Sequence, residues 1–516
     1  MTRTEAVIKN SLWGVINKVV NMFLSFASRT IFIYFLGVTY LGVNGLYSEI
    51  LAMLSLTELG FGTALLVAMY KPIADNDRER IIQLLDFYKK TYRVIALIIA
   101  SVGIALVPFL QYIVKGADSL TLFNLRLYFI IYLANTVIGY FVSYKFCYVN
   151  ALQKNYVATN FNLVANVVTI VAQCLAIWLT KSFLVYLLVQ TVLLACSKFI
   201  KATYFNRKFP ILKEKPERSL TKEERKPIFK EVKDRSIHKF STVAIHSTDN
   251  IIIATLTGLG VTAVGLVSNY TMLINAVTGF IVIFFSSLVT SFGNLVATST
   301  TEHYRRTFLD LNFVNFWMYG FCSIAFLILI PPFITLWLGG EFLIDNASFL
   351  LIVLNCYLLG QFTVYNNARE AKGNFGKDKW MSLSEALINL IVSVICAYYL
   401  GLVGVYIGTV ASKVFYTIAR PIATYRFMTD HSPWDYFSRF IKYFVATVFA
   451  GAITYFVCSR VLINVNIWTF IAAAGIVAVM PNLIFLALFF RDGEFKNVVN
   501  RGISILKSVV RKNEKS

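Results

Sequence analysis

Charge is scarce in this sequence. Asp, Glu, Lys and Arg make up 15% of the 516 residues, against about 25% in soluble domains. Acidic residues number only 27. The seven cysteines fall in or at the ends of apolar segments, are odd in number and include no CxxC pair, which argues against disulfides and a cysteine-ligated metal. No GxxxxGK[ST] phosphate cradle occurs. The nearest string, Gly373 to Lys377, lacks the spacing and the following hydroxyl and reads as a basic turn. HExxH and GxSxG are missing too. No small-residue cleavage pattern follows the first apolar stretch, so that segment is expected to be a retained span. No cofactor is implied.

What the sequence does have is apolar surface. Hydrophobic residues make up 57% of the chain, with 44 Phe, 28 Tyr and a mean hydropathy of +0.66. A soluble globule of this length cannot bury that much. A spanning helix needs about 20 mostly apolar residues, and fourteen stretches qualify: residues 11–36, 43–70, 93–114, 120–145, 157–180, 182–204, 237–257, 262–296, 310–338, 346–368, 380–400, 402–428, 437–459 and 467–490. The eighth holds Gly279 and Gly293 and is expected to be long and tilted, or broken. The fold class that follows is an all-α polytopic membrane protein.

The formal net charge of +21 would raise the question of nucleic acid in a soluble protein, but here its location answers that question. With the N-terminus inside, the cytoplasmic connections, tails and adjoining span ends collect 42 of the 48 Lys and Arg, and the other side only Lys115, Lys181 and Arg460. Membrane proteins keep Lys and Arg on cytoplasmic loops. Both termini are therefore expected in the cytoplasm, with no nucleic-acid partner. The outer connections are short, too short to carry an enzyme's catalytic groups. Phe205 to Arg235 reads as a solvated cytoplasmic linker, and Glu494 to Lys512 as an amphipathic helix on the inner membrane surface.

An internal repeat organises the spans. Leu36-Gly37-Val38-Thr39-Tyr40-Leu41-Gly42 returns as Leu259-Gly260-Val261-Thr262-Ala263-Val264-Gly265, an offset of 223. Lys154 and Lys377, and Asn166 and Asn389, repeat at the same offset. Ala202-Thr203-Tyr204 returns as Ala423-Thr424-Tyr425. An offset of six spans implies two six-helix lobes in one orientation, a parallel repeat. The expected organisation is a lobe at 1–205, the basic linker at 206–235, a second lobe at 236–430, two further spans at 431–492 and a basic cytoplasmic tail at 493–516.

Lys18, Arg29 and Arg126 lie at membrane depth, where a charge is costly unless it faces water or a partner. In the first span Gly14, Lys18, Asn21, Ser25 and Ser28/Arg29 fall three or four residues apart, on one helical face. Lys18, Asn21, Ser25, Arg29 and Arg126 are therefore the candidate substrate-binding residues. The acids at depth, Glu49, Glu58, Asp249 and Glu385, are candidates for ion coupling. One alternative is that Arg29 pairs with one of these acids and only holds helices together; another is that Arg126 snorkels to the outer surface. Lys145, Lys198, Lys413 and Arg420 read as inner span ends explained by positive-inside bias, the alternative being that some of them rim an inward-facing mouth. Asn162, Asn166, Gln173, Asn269, Asn275, Asn294, Ser384 and Asn389 read mainly as interhelical hydrogen-bonding groups. His246 stands three residues before Asp249. Gly404 and Gly408 form a GxxxG.

The Arg-bearing polar first helix, the 6+6+2 arrangement and the stretch Phe35 to Tyr47, followed by Leu59-Gly60-Phe61-Gly62, resemble the Wzx-type polysaccharide flippases. That family shares a superfamily with multidrug and toxin extrusion (MATE) transporters and lipid II flippases. The resemblance implies a V-shaped pair of lobes working by alternating access in the bacterial cytoplasmic membrane. It implies an undecaprenyl-diphosphate-linked oligosaccharide as cargo, for capsule, exopolysaccharide or O-antigen assembly, with polysaccharide polymerase and other assembly proteins as partners. Arg29 holds a place comparable to a functional first-helix arginine of lipid II flippases, and residues 437–459 and 467–490 match by position a pair of helices that forms a lipid-tail groove. The alternatives are a cation-coupled multidrug exporter of the same fold and, from another class, a membrane-embedded polymerase.

Overall fold

The computed structural model describes residues 3–58, 60–153, 155–286, 299–371 and 379–513. Gly293, Asn294, Lys154 and residues 373–377, expected as a basic turn, lie outside them, as does the side chain of His246. The described residues form seventeen α-helices joined by short turns, with no strand. They are α1 (Arg3–Leu36), α2 (Val38–Leu54), α3 (Phe61–Ala74), α4 (Arg78–Leu106), α5 (Leu110–Ile113), α6 (Leu122–Ala151), α7 (Asn155–Thr180), α8 (Phe183–Lys208), α9 (Lys222–Leu256), α10 (Gly260–Ser286), α11 (Thr301–Trp337), α12 (Asn346–Ala371), α13 (Lys379–Leu400), α14 (Leu402–Thr429), α15 (Trp434–Val461), α16 (Ile467–Phe489) and α17 (Gly493–Asn513). Twelve of these segments are long and apolar enough to cross a membrane, and each coincides with one of the fourteen expected spans.

The second and seventh expected spans differ. The stretch 43–70 is two helices, α2 and α3, separated by a 3₁₀ turn at Ser55–Glu58 and by Gly60 at φ +77°. An L side chain rarely adopts that left-handed conformation, and an α-helix does not run through it, so the span is interrupted beside Glu58. In the seventh, α9 begins well before residue 237. Its first residue is Lys222, behind a capping box in which Thr221 and Glu224 satisfy each other's backbone N–H groups. Glu224 also pairs with Arg80 at 2.7 Å and Arg218 at 3.0 Å. The hydrogen bond from Arg218, with those from Thr221 and the charge of Arg80, holds the Glu224 carboxyl down at about 2.

The chain divides into two compact units, Met1–Ser268 with Ser393–Val405, and Asn269–Val392 with Tyr406–Ser516. In the first, the two copies of the repeated motif meet each other. Thr39 and Thr262, 223 residues apart, place their hydroxyls 3.4 Å from one another. Gly42 lies against the backbone of Val261, and its repeat mate Gly265 against the backbone of Val38, the mate of Val261. The contact is reciprocal about a local two-fold. Glycine is needed at both places: a Cβ on Gly42 would stand 1.7 Å from the Val261 carbonyl oxygen, and one on Gly265 would stand 2.4 Å from that of Val38. Gly404 of the GxxxG is equally tight, against the backbone of Cys396.

The second unit has an aromatic core where α11, α15 and α16 meet, built on Phe313, Phe316, Tyr443, Phe485 and Phe489. Phe316 and Tyr443 stack with centroids 4.3 Å apart. The tail helix α17 is amphipathic as expected, and Phe495 and Val498 from its apolar side pack on this core. Asp310 fixes it there, accepting from Asn497 at 3.2 Å and pairing with Arg501 at 3.3 Å.

We predict that Gly42→Ala and Gly265→Ala each destabilise the protein by about 1–3 kcal/mol, the usual range for overpacking, read as a lowered Tm in detergent. Gly475→Ala, which meets nothing within 4 Å, leaves Tm unchanged.

Candidate functional site

In the first unit the polar face of α1 lies along α7. Asn21 accepts a hydrogen bond from Asn166 at 3.4 Å and donates to the Asn17 carbonyl at 2.7 Å. Lys18 is half-buried on the same helix and Ser25 is exposed. Higher on α1, Arg29 is half-buried and donates through Nη1 to the Ser268 hydroxyl at 2.7 Å. Ser268 in turn donates to the Gly265 carbonyl. The guanidinium is thus held by the helix whose start forms the reciprocal glycine contact. Tyr186 is within electrostatic range of it. Arg126 is half-buried near the start of α6, its Nε enclosed and without a hydrogen-bond partner among the described residues.

Glu49, Glu58 and Asp249 belong to the first unit and Glu385 to the second. Glu49 on α2 accepts from Ser247 at 2.8 Å. Glu58, in the turn between α2 and α3, accepts from the Tyr92 hydroxyl at 3.0 Å, with Tyr140 stacked beside Tyr92 at 6.1 Å. Asp249 is half-buried on α9. Glu385 belongs to the second unit, where it forms a buried ion pair with Lys413 at 2.6 Å.

Several cations are buried more deeply than the sequence suggested. Lys413 and Arg420, read as positive-inside span ends, are 7% and 2% exposed. Arg420 donates to Asn366 at 2.9 Å and Ser382 at 3.0 Å, and its guanidinium lies 3.9 Å from the Tyr416 ring. Positive-inside bias accounts for lysines that reach water, and these two do not. In the first unit, Lys198 also turns inward, donating to the carbonyl and side-chain oxygens of Asn135 at 3.0 and 3.3 Å. Lys201, which sequence reasoning passed over, is 7% exposed, hydrogen-bonded to Asn162 and 4.5 Å from the Phe146 ring. The signal was present: Lys198 and Lys201 are three apart on α8, so they share a face, and Phe199 and Ile200 between them point outward and are exposed.

The second unit also contains a cavity of about 880 Å³ between α11, α12 and α15, mostly apolar. Ile324, Leu327 and Pro331 line it from α11, Leu350 and Val353 from α12, and Val448 and Tyr455 from α15. Its size and lining suit a hydrocarbon chain better than a sugar.

A bundle with twelve helical segments long and apolar enough to cross a membrane, carrying cations held on amides and hydroxyls, defines a multi-pass membrane protein. Among solved structures, the lipid II flippase MurJ in an inward closed conformation matches with a TM-score of 0.68 at 14% identity, covering 93% of this chain and 98% of that one. An inward-facing multidrug resistance MATE family transporter matches at 0.58 with 16% identity, over 80% of this chain and 96% of that one. A Vibrio cholerae MATE transporter also matches at 0.58, with 13% identity, over 84% and 100%. At these identities the likeness establishes the fold. No curated protein matches in sequence. The polysaccharide biosynthesis protein family matches residues 7–296, more than half of the chain, and the chain belongs to that family.

The Lys413–Glu385 pair yields a prediction. Lys413→Met leaves a buried carboxylate alone and destabilises the protein by about 3–5 kcal/mol, whereas Lys413→Met with Glu385→Leu recovers most of that loss. Thermal unfolding of the two variants in detergent checks it.

Proposed function

We propose that the protein is a flippase that moves a polyprenyl-diphosphate-linked oligosaccharide from the inner to the outer leaflet of the bacterial cytoplasmic membrane, for surface polysaccharide assembly. The observation that carries this reading is the family match, which covers the part of the chain where Arg29, Lys198 and Lys201 are held at depth by hydroxyls and amides. A diphosphate and a sugar head cannot enter hydrocarbon unaided, because their charges and hydroxyls would lose water. A passage lined by amides, hydroxyls and a few cations lowers that barrier while the polyprenyl tail stays in lipid. Arginine suits the diphosphate through its fork of donors.

In this reading Arg29 is the central anion contact, with Lys18, Asn21, Ser25 and Arg126 contributing to the polar lining. The cavity between α11, α12 and α15 accommodates part of the tail. The lobes at 1–205 and 236–430 rock about the repeat axis by alternating access, with both termini in the cytoplasm, the linker 206–235 between the lobes and the helices of 431–492 flanking them. Glu58, Glu49, Asp249 and Glu385 are the candidates for coupling to an ion gradient. Glu58 is the most suitable, since it sits in a helix interruption among tyrosine hydroxyls. Polysaccharide polymerase is the expected consumer of the product.

Arg29→Ala is predicted to abolish surface polysaccharide and to leave lipid-linked units on the cytoplasmic side, at unchanged protein level. Mass analysis of extracted lipid-linked glycans, with surface polymer staining, measures both. Normal polymer output from that variant refutes the role of Arg29. Accumulation of drugs in place of glycans in a deletion strain favours the exporter.

A further inference from the structure

A lysine ammonium carries three N–H donors, and burying it on neutral partners is costly unless its charge is matched. The second unit meets that requirement in the ordinary way, with Glu385 on Lys413. In the first unit Lys198 and Lys201 share one face of α8, close enough for their charges to repel. Among the described residues neither forms an ion pair. Lys201 has the Asn162 amide and a ring face, and Lys198 has two oxygens of one asparagine. Each keeps donor capacity unspent. Asn162 is itself exposed and Lys198 only half-buried, so the pair can be reached.

From Lys201 a polar file climbs α7. Asn162, Asn166, Thr169 and Gln173 follow at intervals of four, three and four, which keeps them on one face, over about 16 Å of helix rise. Asn166 meets Asn21 of α1, and Gln173 hydrogen-bonds Tyr186, which is within electrostatic range of Arg29. Thr169 and Gln173 are each 4% exposed, yet Thr169 Oγ1 makes no hydrogen bond among the described residues. Buried polar atoms are rarely left so. Two cations without a carboxylate, an idle hydroxyl and a row of amides mark one path between Lys201 and Arg29.

We propose that Lys198 and Lys201 form a binding station for a phosphate group borne on a membrane lipid, separate from Arg29 and joined to it by the polar face of α7. This rests on the flippase reading, and under that reading the phosphate is the carrier's diphosphate. The lysine pair receives the diphosphate from the leaflet nearer the C-terminal end of α8, and Arg29 receives it next. No bond is made or broken; the phosphate oxygens take up the free N–H donors as the head group advances.

The test uses the full chain in phosphatidylcholine nanodiscs, with farnesyl diphosphate as the probe and farnesol, inorganic pyrophosphate and phosphatidylglycerol as separate arms. Mass spectrometry follows acetylation of Lys198 in the unmutated protein, and binding is titrated for unmutated protein, Lys198→Gln, Lys198→Gln/Lys201→Gln and Lys198→Arg/Lys201→Arg. The expected result is that farnesyl diphosphate protects Lys198, farnesol does not, and the double Gln variant binds about tenfold more weakly while the double Arg variant binds normally. Lys198→Gln alone, at the half-buried position, gives the same direction of change if the double variant does not fold. Protection by phosphatidylglycerol as strong as by farnesyl diphosphate assigns the station to a phospholipid head group and overturns the cargo role. Protection by inorganic pyrophosphate alone overturns the lipid-borne assignment. Unmutated binding with no loss in the Gln variants overturns the station and leaves the flippase reading standing, whereas no diphosphate binding by the unmutated protein defeats both.

Discussion

An ammonium or guanidinium taken out of water loses its hydration, and the protein must return that free energy through a counter-charge, hydrogen bonds or a share of solvent. This chain gives its deep cations different answers. Lys413 receives a carboxylate. Arg420 receives an amide, a hydroxyl and an aromatic face. Arg29 is held by Ser268, and Lys198 and Lys201 by asparagine oxygens. The first arrangement neutralises charge and stabilises a fixed contact between helices. The others rest on amides and hydroxyls that α6, α7, α10, α12 and α13 carry in an otherwise apolar bundle.

Holding Arg29 depends in turn on backbone geometry. Ser268 reaches it from α10, and α10 is seated by the reciprocal approach of Gly42 to Val261 and of Gly265 to Val38. Only residues without a Cβ let the two helices come that close. The repeat is therefore more than a trace of duplication: its glycines set the position of the hydroxyl that orients the guanidinium. The same economy appears at Gly404 against Cys396. Small residues determine where large polar ones can act.

The spans were legible because hydrocarbon imposes a length and an apolarity that sequence displays directly. Twelve of fourteen expected stretches correspond to long apolar helices. The exceptions have physical causes: Gly60 in a left-handed conformation interrupts the second, and the capping box at Thr221 starts the seventh far outside its apolar part. The acids and the arginine in the first helix stood out for the same reason, as departures from an apolar background. Lys198, Lys201, Lys413 and Arg420 did not stand out, since a lysine near a span end has the same appearance whether it snorkels outward or turns inward.

Sequence by itself determined the class of protein, the approximate limits of twelve of its apolar helical segments, the internal duplication and the residues too polar to face lipid. These follow from composition, periodicity and a solvent that tolerates few exceptions. Tertiary structure decided which polar residue answers which. That Thr39 would meet Thr262, that Arg29 would rest on Ser268, that Glu385 would take Lys413 while Lys198 and Lys201 took asparagines, depends on helix rotation and on contacts between residues far apart in the chain. A helical repeat fixes which side chains share a face, but only packing fixes what that face meets.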